Sequence, residues 1–286
     1  MTLASDRLRQ VPAPLPTEER VLAAVNAIVR RTVSTDKDPK ATLVNSGLLA
    51  ISIPAAFGGA DISNIVVAET ITSLSSWHKQ TAELFVHHLV ALELLRTSGT
   101  TEQRRAIYSR VVLGELFDFT TAPAGQLVPH IERAGLSFVL EASIPPNWGA
   151  DWLVLIAEAA GKGNVASIIS SEDRLLSDGD VELPVSPDNV LSLGPDALVL
   201  SKLMQAFLRG ATCRKPSEAH TQGSVGDVTL SSVEFELLDA IVLKASSIID
   251  TIQVDFPTLD RAHLETLCKA LETACHRCSS DVTLRR

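Results

Sequence analysis

The 286-residue sequence predicts a mainly α-helical protein with a small β-rich middle domain. Apolar residues make up 45% of the chain and aromatic residues only 4%, and a core rich in Leu, Ala and Val suits the packing of helix against helix. Apolar residues recur at helical spacing towards both ends, whereas short apolar runs broken by proline and glycine occupy the middle. The expected order is therefore helices, strands, helices.

An extended lead-in is expected over residues 1–16, because Pro12, Pro14 and Pro16 disfavour a helix. An N-terminal helical domain is expected to follow over residues 17–117. Its helices are predicted to begin near Thr17, Pro39, Ser63, Gln80 and Thr100.

Three local patterns connect these helices. The apolar segment Leu48–Pro54 is predicted to be extended. Ser63 is expected to cap the helix that follows it, and Gly99 is expected to end a helix in the left-handed conformation. Thr100 and Gln103 have the spacing of a capping box, in which each side chain bonds the backbone of the other residue.

The middle β domain is expected at residues 118–192, with strands in the apolar runs Leu136–Leu140 and Trp152–Ala157. Helical spacing returns in a C-terminal domain at residues 193–286. Its helices are predicted at Asp196–Thr212, Leu230–Thr251 and Leu259–Arg277.

Charge and hydropathy exclude several classes of protein. The net charge is −9 and the pI about 5.3, without a stripe of Lys and Arg, so nucleic acid and anionic membranes are not expected partners. Residues Met1–Gln10 lack the apolar core of a signal peptide, and no segment has the roughly 20 apolar residues needed to span a bilayer. We expect a cytoplasmic protein.

The four cysteines are expected to be reduced, because three of them are crowded between Cys268 and Cys278 rather than spread as a disulfide framework. The spacing of Cys275 and Cys278 also suggests a zinc site, with His263, Cys268 and His276 nearby. There is no second Cys-x-x-Cys pair, and cysteines seven residues apart on one helical face behave as small apolar residues. No metal is therefore assigned.

Five stretches of sequence occur in the order found in one known family. Two of them lie in the N-terminal domain. The first is Gly47–Pro54 (GLLAISIP) running into Phe57–Ala60 (FGGA), and the second is His88 followed by Gly99–Arg104 (GTTEQR) and Val112–Glu115 (VLGE). The first stretch is the most specific of the five.

The other three stretches are Thr120–Gly125 (TTAPAG), Gly149–Val154 (GADWLV), and Val185–Leu191 (VSPDNVL) joined to Ala206–Ala211 (AFLRGA). Taken together, the five resemble the acyl-CoA dehydrogenase superfamily over roughly residues 42–213. They are most similar to its branch of reduced-flavin-dependent monooxygenases, which includes the dibenzothiophene monooxygenase type. The resemblance implies an N-terminal helical bundle, a short β domain and a truncated C-terminal helical bundle.

The resemblance also implies a flavin, either FAD or FMN, and an acyl or small aromatic substrate. It places Thr120, Thr121 and Gly125 at a turn beside the flavin, and it gives Arg209 a position from which to pair a phosphate or carboxylate. His88 matches a histidine that the monooxygenase branch carries near the flavin, which makes it the candidate proton donor or base.

Each of these residues also has a structural interpretation. His88 is equally a histidine on a helix face bonded by a neighbour, and Arg209 a dipole or inter-helix partner. Thr120 and Thr121 fit an ordinary strand-to-turn sequence. His87 points about 100° around the helix from His88, so the two cannot share a metal, and it is interpreted as a surface or packing residue.

Several positions depart from the family pattern. Gln126 and Leu127 replace a Ser-Asp pair, Ile144 and Pro145 replace a hydroxyl residue beside the ring, and no residue aligns with the catalytic glutamate of the dehydrogenases. The alternative function is therefore a flavin-free, non-catalytic descendant that acts as a binding or assembly module.

Self-association is expected in either case, as a homodimer, a homotetramer or a complex with a full-length homologue. The shortened C-terminal domain is predicted to leave apolar helix faces that need a partner. These faces carry Leu237, Leu238, Ile241 and Val242.

Overall fold

A computed structural model describes residues 14–30, 38–121, 128–144, 149–161, 163–172, 180–214, 230–255 and 260–283. Within these ranges the helices are α1 (Glu18–Arg30), α2 (Pro39–Val44), α3 (Asn64–Trp77), α4 (Lys79–Ser98), α5 (Thr101–Val112), α6 (Pro195–Cys213), α7 (Leu230–Val254) and α8 (Arg261–Thr283). The strands are β1 (Phe117–Thr120), β2 (His130–Ala134), β3 (Ser137–Ser143), β4 (Trp152–Ala159), β5 (Gly163–Ser170), β6 (Asp180–Val185) and β7 (Val190–Ser192). The predicted fold class, mainly helical with a β-rich middle, is confirmed.

The capping box at the start of α5 is present as predicted. Thr100 Oγ1 accepts the Gln103 backbone N–H at 3.2 Å, and Gln103 Oε1 accepts the Thr100 N–H at 3.0 Å. Gln103 Nε2 also donates to the carbonyls of Asp188 and Val190, each at 3.1 Å. This one side chain therefore both starts a helix and fastens it to the middle domain.

One prediction for the N-terminal domain is wrong and another is right only in position. Leu48–Pro54 is not extended but forms successive turns, in which the Ile51 N–H donates to Leu48 O at 3.2 Å and the Ile53 N–H to Ala50 O at 3.3 Å. Ser63 is the N-cap residue of α3, as predicted, but its side chain accepts no hydrogen bond from the helix backbone. Its hydroxyl donates instead to Glu18 Oε1 at 2.5 Å, which ties α3 to α1.

Gly99 is also not left-handed, since its φ is −75° and its ψ is 143°. The reason for a glycine here is close approach, because a Cβ would lie 2.7 Å from Leu95 O and 2.8 Å from the Leu95 side chain. Helix α4 therefore ends at a residue whose backbone packs directly against the last helical turn, where a side chain would collide.

The strands form one sheet in the order β6-β3-β2-β4-β5-β7, with β1 beside β4. The β1–β4 and β2–β4 pairs are parallel, and the remaining pairs are antiparallel. The two predicted strands are confirmed as β3 and β4. The register opposite β4 sets Asp118 beside Leu153 and Thr120 beside Leu155, so Asp118 and Thr120 project on the same side of β1.

The C-terminal helices α6, α7 and α8 pack together and against α3 and α4. Polar bonds reinforce the contact between α3 and α7, because Asn64 Nδ2 donates to Asp250 Oδ1 at 2.7 Å and to Gln253 Oε1 at 2.9 Å. Leu238 and Val242 are completely buried inside this bundle. They are core residues of the chain itself, and not part of an open face as predicted.

The expectation of four reduced thiols is wrong for one pair. Cys213 at the end of α6 and Cys275 in α8 are joined by a disulfide, with their Cα atoms 5.9 Å apart. The two cysteines are 62 residues apart in the sequence and meet only because α6 packs on α8, so no local pattern predicts the disulfide.

The described residues contain neither a membrane-spanning helix nor a metal-binding cluster. Among the helices whose placement is described, none has the length and apolar character required to cross a membrane. Those same ranges hold no group of three or more His, Cys, Asp or Glu side chains arranged to bind a metal ion.

Candidate functional site

A cavity of about 620 Å³ lies where the N-terminal helices meet the C-terminal bundle. We call it the interhelical cavity. Its walls are Ser75, Lys79, Glu83, Val86 and His87 from α3 and α4, Arg209, Thr212 and Cys213 from α6, and Phe235, Cys275 and Cys278 from α7 and α8. The volume is in the range of small-molecule sites, and the walls combine apolar surface with a few charged groups.

The pair formed by His87 and Asp118 is the main chemical feature of this cavity. His87 Nδ1 lies 2.7 Å from Asp118 Oδ1, and the same carboxylate oxygen accepts the Phe119 backbone N–H at 2.7 Å. The Asp118 side chain is 14% exposed and the His87 side chain 34%, so the carboxylate is largely sheltered from water while the imidazole is partly open to it. A donating Nδ1–H fixes the imidazole tautomer, so that Nε2 is the ring nitrogen with a free lone pair.

Positive charge enters the cavity from two helices. Lys79 in α4 forms an exposed ion pair with Glu83, at 3.6 Å. Arg209 lies near the end of α6, and its guanidinium makes no hydrogen bond or ion pair with the other residues that the structure describes. Such an arginine can bind a phosphate or carboxylate through paired N–H donors.

His88 faces away from the cavity and is completely buried. Its Nε2–H donates to Leu49 O at 3.0 Å, and its Nδ1 accepts the Phe117 backbone N–H at 3.1 Å. Burial lowers its pKa from 6.5 to about 4, although the two backbone bonds partly oppose that shift. Both ring nitrogens are thus occupied, and this geometry argues against the predicted proton transfer by His88.

The predicted flavin-contacting residues lie at the end of β1. Thr120 Oγ1 donates to Thr121 O at 3.2 Å, and Thr121 is exposed. Gly125 lies outside the described residues. The structure therefore brings together Arg209 and His87 on one cavity, with Thr120 on the Asp118 side of β1, and it separates His88 from all of them.

Of the positions predicted to lack polar contacts, Ile144 is described and is buried, with 7% of its surface exposed. Gln126, Leu127 and Pro145 lie outside the described residues. A buried isoleucine offers no hydrogen bond to a cofactor ring, which is the deficiency expected from the sequence.

Sequence reasoning missed the pairing of His87 with Asp118. The sequence interpretation of His87 as a surface or packing residue gives no role to Asp118. The two are 31 residues apart, and they meet only because α4 packs across β1. The sequence carries no local signal for this contact.

The comparisons with known proteins agree with the fold. Residues 17–115 match the family model described as the acyl-CoA dehydrogenase N-terminal domain. No curated protein matches the sequence. Residues 17–115 are thus similar to the acyl-CoA dehydrogenase N-terminal domain, the chain has the acyl-CoA dehydrogenase-like fold, and the predicted resemblance is confirmed.

Solved structures resemble the chain over nearly its whole length. TdsC from Paenibacillus sp. A11-2, solved with FMN and indole, is 15% identical, with a TM-score of 0.65, covering 91% of this chain and 82% of TdsC. Butyryl-CoA dehydrogenase from Megasphaera elsdenii is 13% identical, with a TM-score of 0.65 and coverage of 98% and 88%. The prolyl acyl carrier protein oxidase AnaB is 15% identical, with a TM-score of 0.63 and coverage of 90% and 84%. At such identities the likeness concerns the fold.

Proposed function

We propose that the chain is a flavin-dependent oxidoreductase that acts on an acyl or small aromatic substrate in the interhelical cavity. One observation carries the proposal: His87, bonded to Asp118, lines a cavity that also holds the Arg209 guanidinium, which has no hydrogen-bond or ion-pair partner among the described residues. A sheltered imidazole–carboxylate pair beside a cation is an arrangement suited to moving a proton on a bound anion.

The donors around the cavity fit a flavin, FAD or FMN. Arg209 and Lys79, which line the cavity, would hold its phosphate. Thr120 and Thr121 lie at the end of β1 and are not part of the cavity lining, so their proposed bonds to the ring edge rest on the family resemblance alone. When bound, the flavin would supply the electron transfer of the reaction. The proteins solved with FMN and indole, or named as acyl-CoA and acyl carrier protein enzymes, motivate the two substrate classes.

His87 takes the catalytic role that the family resemblance implies for His88. Asp118 holds the imidazole by its Nδ1 side, so that Nε2 accepts or donates a proton in the cavity. His88 becomes a positioning residue, because its bond to the Phe117 N–H fixes β1 immediately before Asp118. His87 is thus the proposed catalytic residue, and His88 holds the strand that carries Asp118 in position.

The first test is the visible absorption spectrum of the purified protein, followed by titration with FAD and with FMN. We expect flavin uptake that Arg209→Ala weakens. His87→Ala should abolish turnover of a substrate and leave flavin uptake intact. His263→Ala, an exposed histidine of α8 outside the cavity, is the matched control and should behave as wild type. Absence of uptake for both flavins would overturn the proposal.

A second candidate function is a non-catalytic binding or assembly module. The observation that favours it is Ile144, buried where the family has a hydroxyl beside the flavin ring. A protein that remains colourless and takes up neither flavin, yet is fully folded by circular dichroism, would support this function. Turnover lost in His87→Ala would contradict it.

Self-association is proposed for either function. The outer face of α7 exposes apolar side chains, and such a row on a helix favours burial against another chain. They are Val233, Leu237, Leu243 and Val254, of which Val254 is 89% exposed and the others 47–56%. We expect light scattering to give a homodimer or homotetramer that Leu237→Glu dissociates. A monomeric wild type would refute this.

A further inference from the structure

Three of the four cysteines line the interhelical cavity. Cys213 is the last residue of α6, and Cys275 and Cys278 lie one turn apart on α8. The Cα atoms of Cys213 and Cys275 are 5.9 Å apart, inside the range that a disulfide spans without backbone movement. The cross-link therefore fastens the end of one cavity wall to the facing wall.

We propose that the Cys213–Cys275 disulfide is a reversible cross-link that controls access to the interhelical cavity, closed when oxidised and open when reduced. The pair sits where such control is effective, because α6 ends at Cys213 and helix ends are the parts that open most easily. Reduction removes the covalent tie and frees the end of α6 to move away from α8.

A dithiol reductant carries out the opening step. One of its thiolates attacks Cys275 Sγ, the Cys213–Cys275 bond breaks, and Cys213 leaves as a thiolate that takes up a proton. The second thiol of the reductant then attacks the mixed disulfide and releases Cys275, so the dithiol becomes a cyclic disulfide and supplies both electrons. Cys275 is half-buried rather than sealed, so this attack has a path from solvent.

The charges of the cavity support this chemistry. Arg209 and Lys79 line the same walls as the cysteine pair, and nearby positive charge stabilises a thiolate as the leaving group. Cys268, on the same helix but not in the cavity wall, has a different environment. Burial and then the nearby Glu272 raise its pKa to about 11, so it should react slowly.

Cys278 gives a direct measure of access. It lines the cavity but is only 3% exposed, so an alkylating reagent should reach it only when the cavity opens. Cys268 serves as the internal control, since it lies on α8 and should keep its rate when the cross-link breaks. Neither measurement needs flavin or substrate, so failure here is distinguishable from failure of the proposed function.

The first experiment maps the disulfide. Protein purified in air is blocked with N-ethylmaleimide, digested and analysed by mass spectrometry. We expect a peptide that joins Cys213 to Cys275, which disappears after dithiothreitol and returns on reoxidation. Recovery of both cysteines in alkylated form from the air-purified protein would overturn the proposal.

The second experiment follows alkylation of Cys278 by iodoacetamide, peptide by peptide, before and after dithiothreitol. We expect about a tenfold faster rate after reduction, and the fast rate without reductant in Cys213→Ser and in Cys275→Ser. The comparison of oxidised and reduced wild type decides the question even if a variant fails to fold. An unchanged Cys278 rate on reduction would refute control of access.

Discussion

Replacing His88 by Leu should destabilise the fold strongly, even though the substitution only exchanges one buried side chain for another of similar size. The imidazole satisfies two buried backbone groups, the Leu49 carbonyl and the Phe117 N–H. Leu offers neither a donor nor an acceptor. A buried polar group left without a partner costs about 1–3 kcal/mol, so the expected loss from two such groups is about 4 kcal/mol.

His88 also makes the free energy of unfolding depend on pH, in a direction that follows from its lowered pKa. The pKa of His88 falls from 6.5 in the unfolded chain to about 4 in the folded protein. The unfolded state therefore binds more protons between these values, and stability is lost as pH falls from 6.5 towards 4. From pH 7 to pH 5 this linkage amounts to about 2 kcal/mol.

Urea denaturation at pH 7 and at pH 5 tests both statements. The gap in unfolding free energy between wild type and His88→Leu should be about 4 kcal/mol at pH 7 and should shrink by about 2 kcal/mol at pH 5. The neighbouring change His87→Leu is the control and should cost far less at pH 7, because His87 is half-buried and bonded to a side chain. A gap that is equal at the two pH values, or a variant as stable as wild type, would show that this account of His88 is mistaken.

Four further substitutions test the packing, the helix cap and a buried carboxylate. Gly59→Ala should lower the free energy of unfolding in urea by about 3 kcal/mol or more, because the new Cβ would lie 2.1 Å from Ile53 O. The control Gly135→Ala places its Cβ in open space and should cost about 1 kcal/mol, for the φ of +64° alone. Gln103→Ala should lower stability by about 2 kcal/mol in thermal unfolding, through loss of the capping box and of the two bonds to the middle domain; an unchanged midpoint would contradict that. Burial of Glu93 raises its pKa, so ionisation of this carboxyl opposes folding as pH rises above 4.5. Glu93→Gln should therefore match or exceed wild-type stability in calorimetry at pH 8. A large loss of stability there would show that the ion pair of Glu93 with Arg96 outweighs the cost of burying its charge.

The helices could be predicted because each depends on its own residues. The capping box of Thr100 and Gln103 is a local pattern, and it appears in the structure with both of its bonds. The prediction that Leu48–Pro54 is extended is wrong, because an apolar composition favours burial but does not specify the backbone conformation, which here is a series of turns. Five of the seven described strands, β1, β2, β5, β6 and β7, have no separate prediction, since a strand is stabilised by pairing with distant segments.

The candidate site shows the same division. Its family position was visible in the motifs, and Arg209 does line the cavity. The choice between two adjacent histidines was not visible, because a rotation of about 100° on one helix decides which ring meets a backbone amide and which meets a carboxylate. The disulfide of Cys213 with Cys275 depended in the same way on helices that are distant in the chain.

The sequence by itself determined the order of helices and strands, the family resemblance and the negative net charge, since periodicity, motifs and charge are properties of the chain read in order. Only the tertiary structure decided that His88 supports β1, that His87 and Asp118 meet at a cavity, and that two cysteines join its walls. The physical reason is that these contacts join residues 29, 31 and 62 positions apart in the sequence, and residues so far apart meet only when the helices and strands pack together.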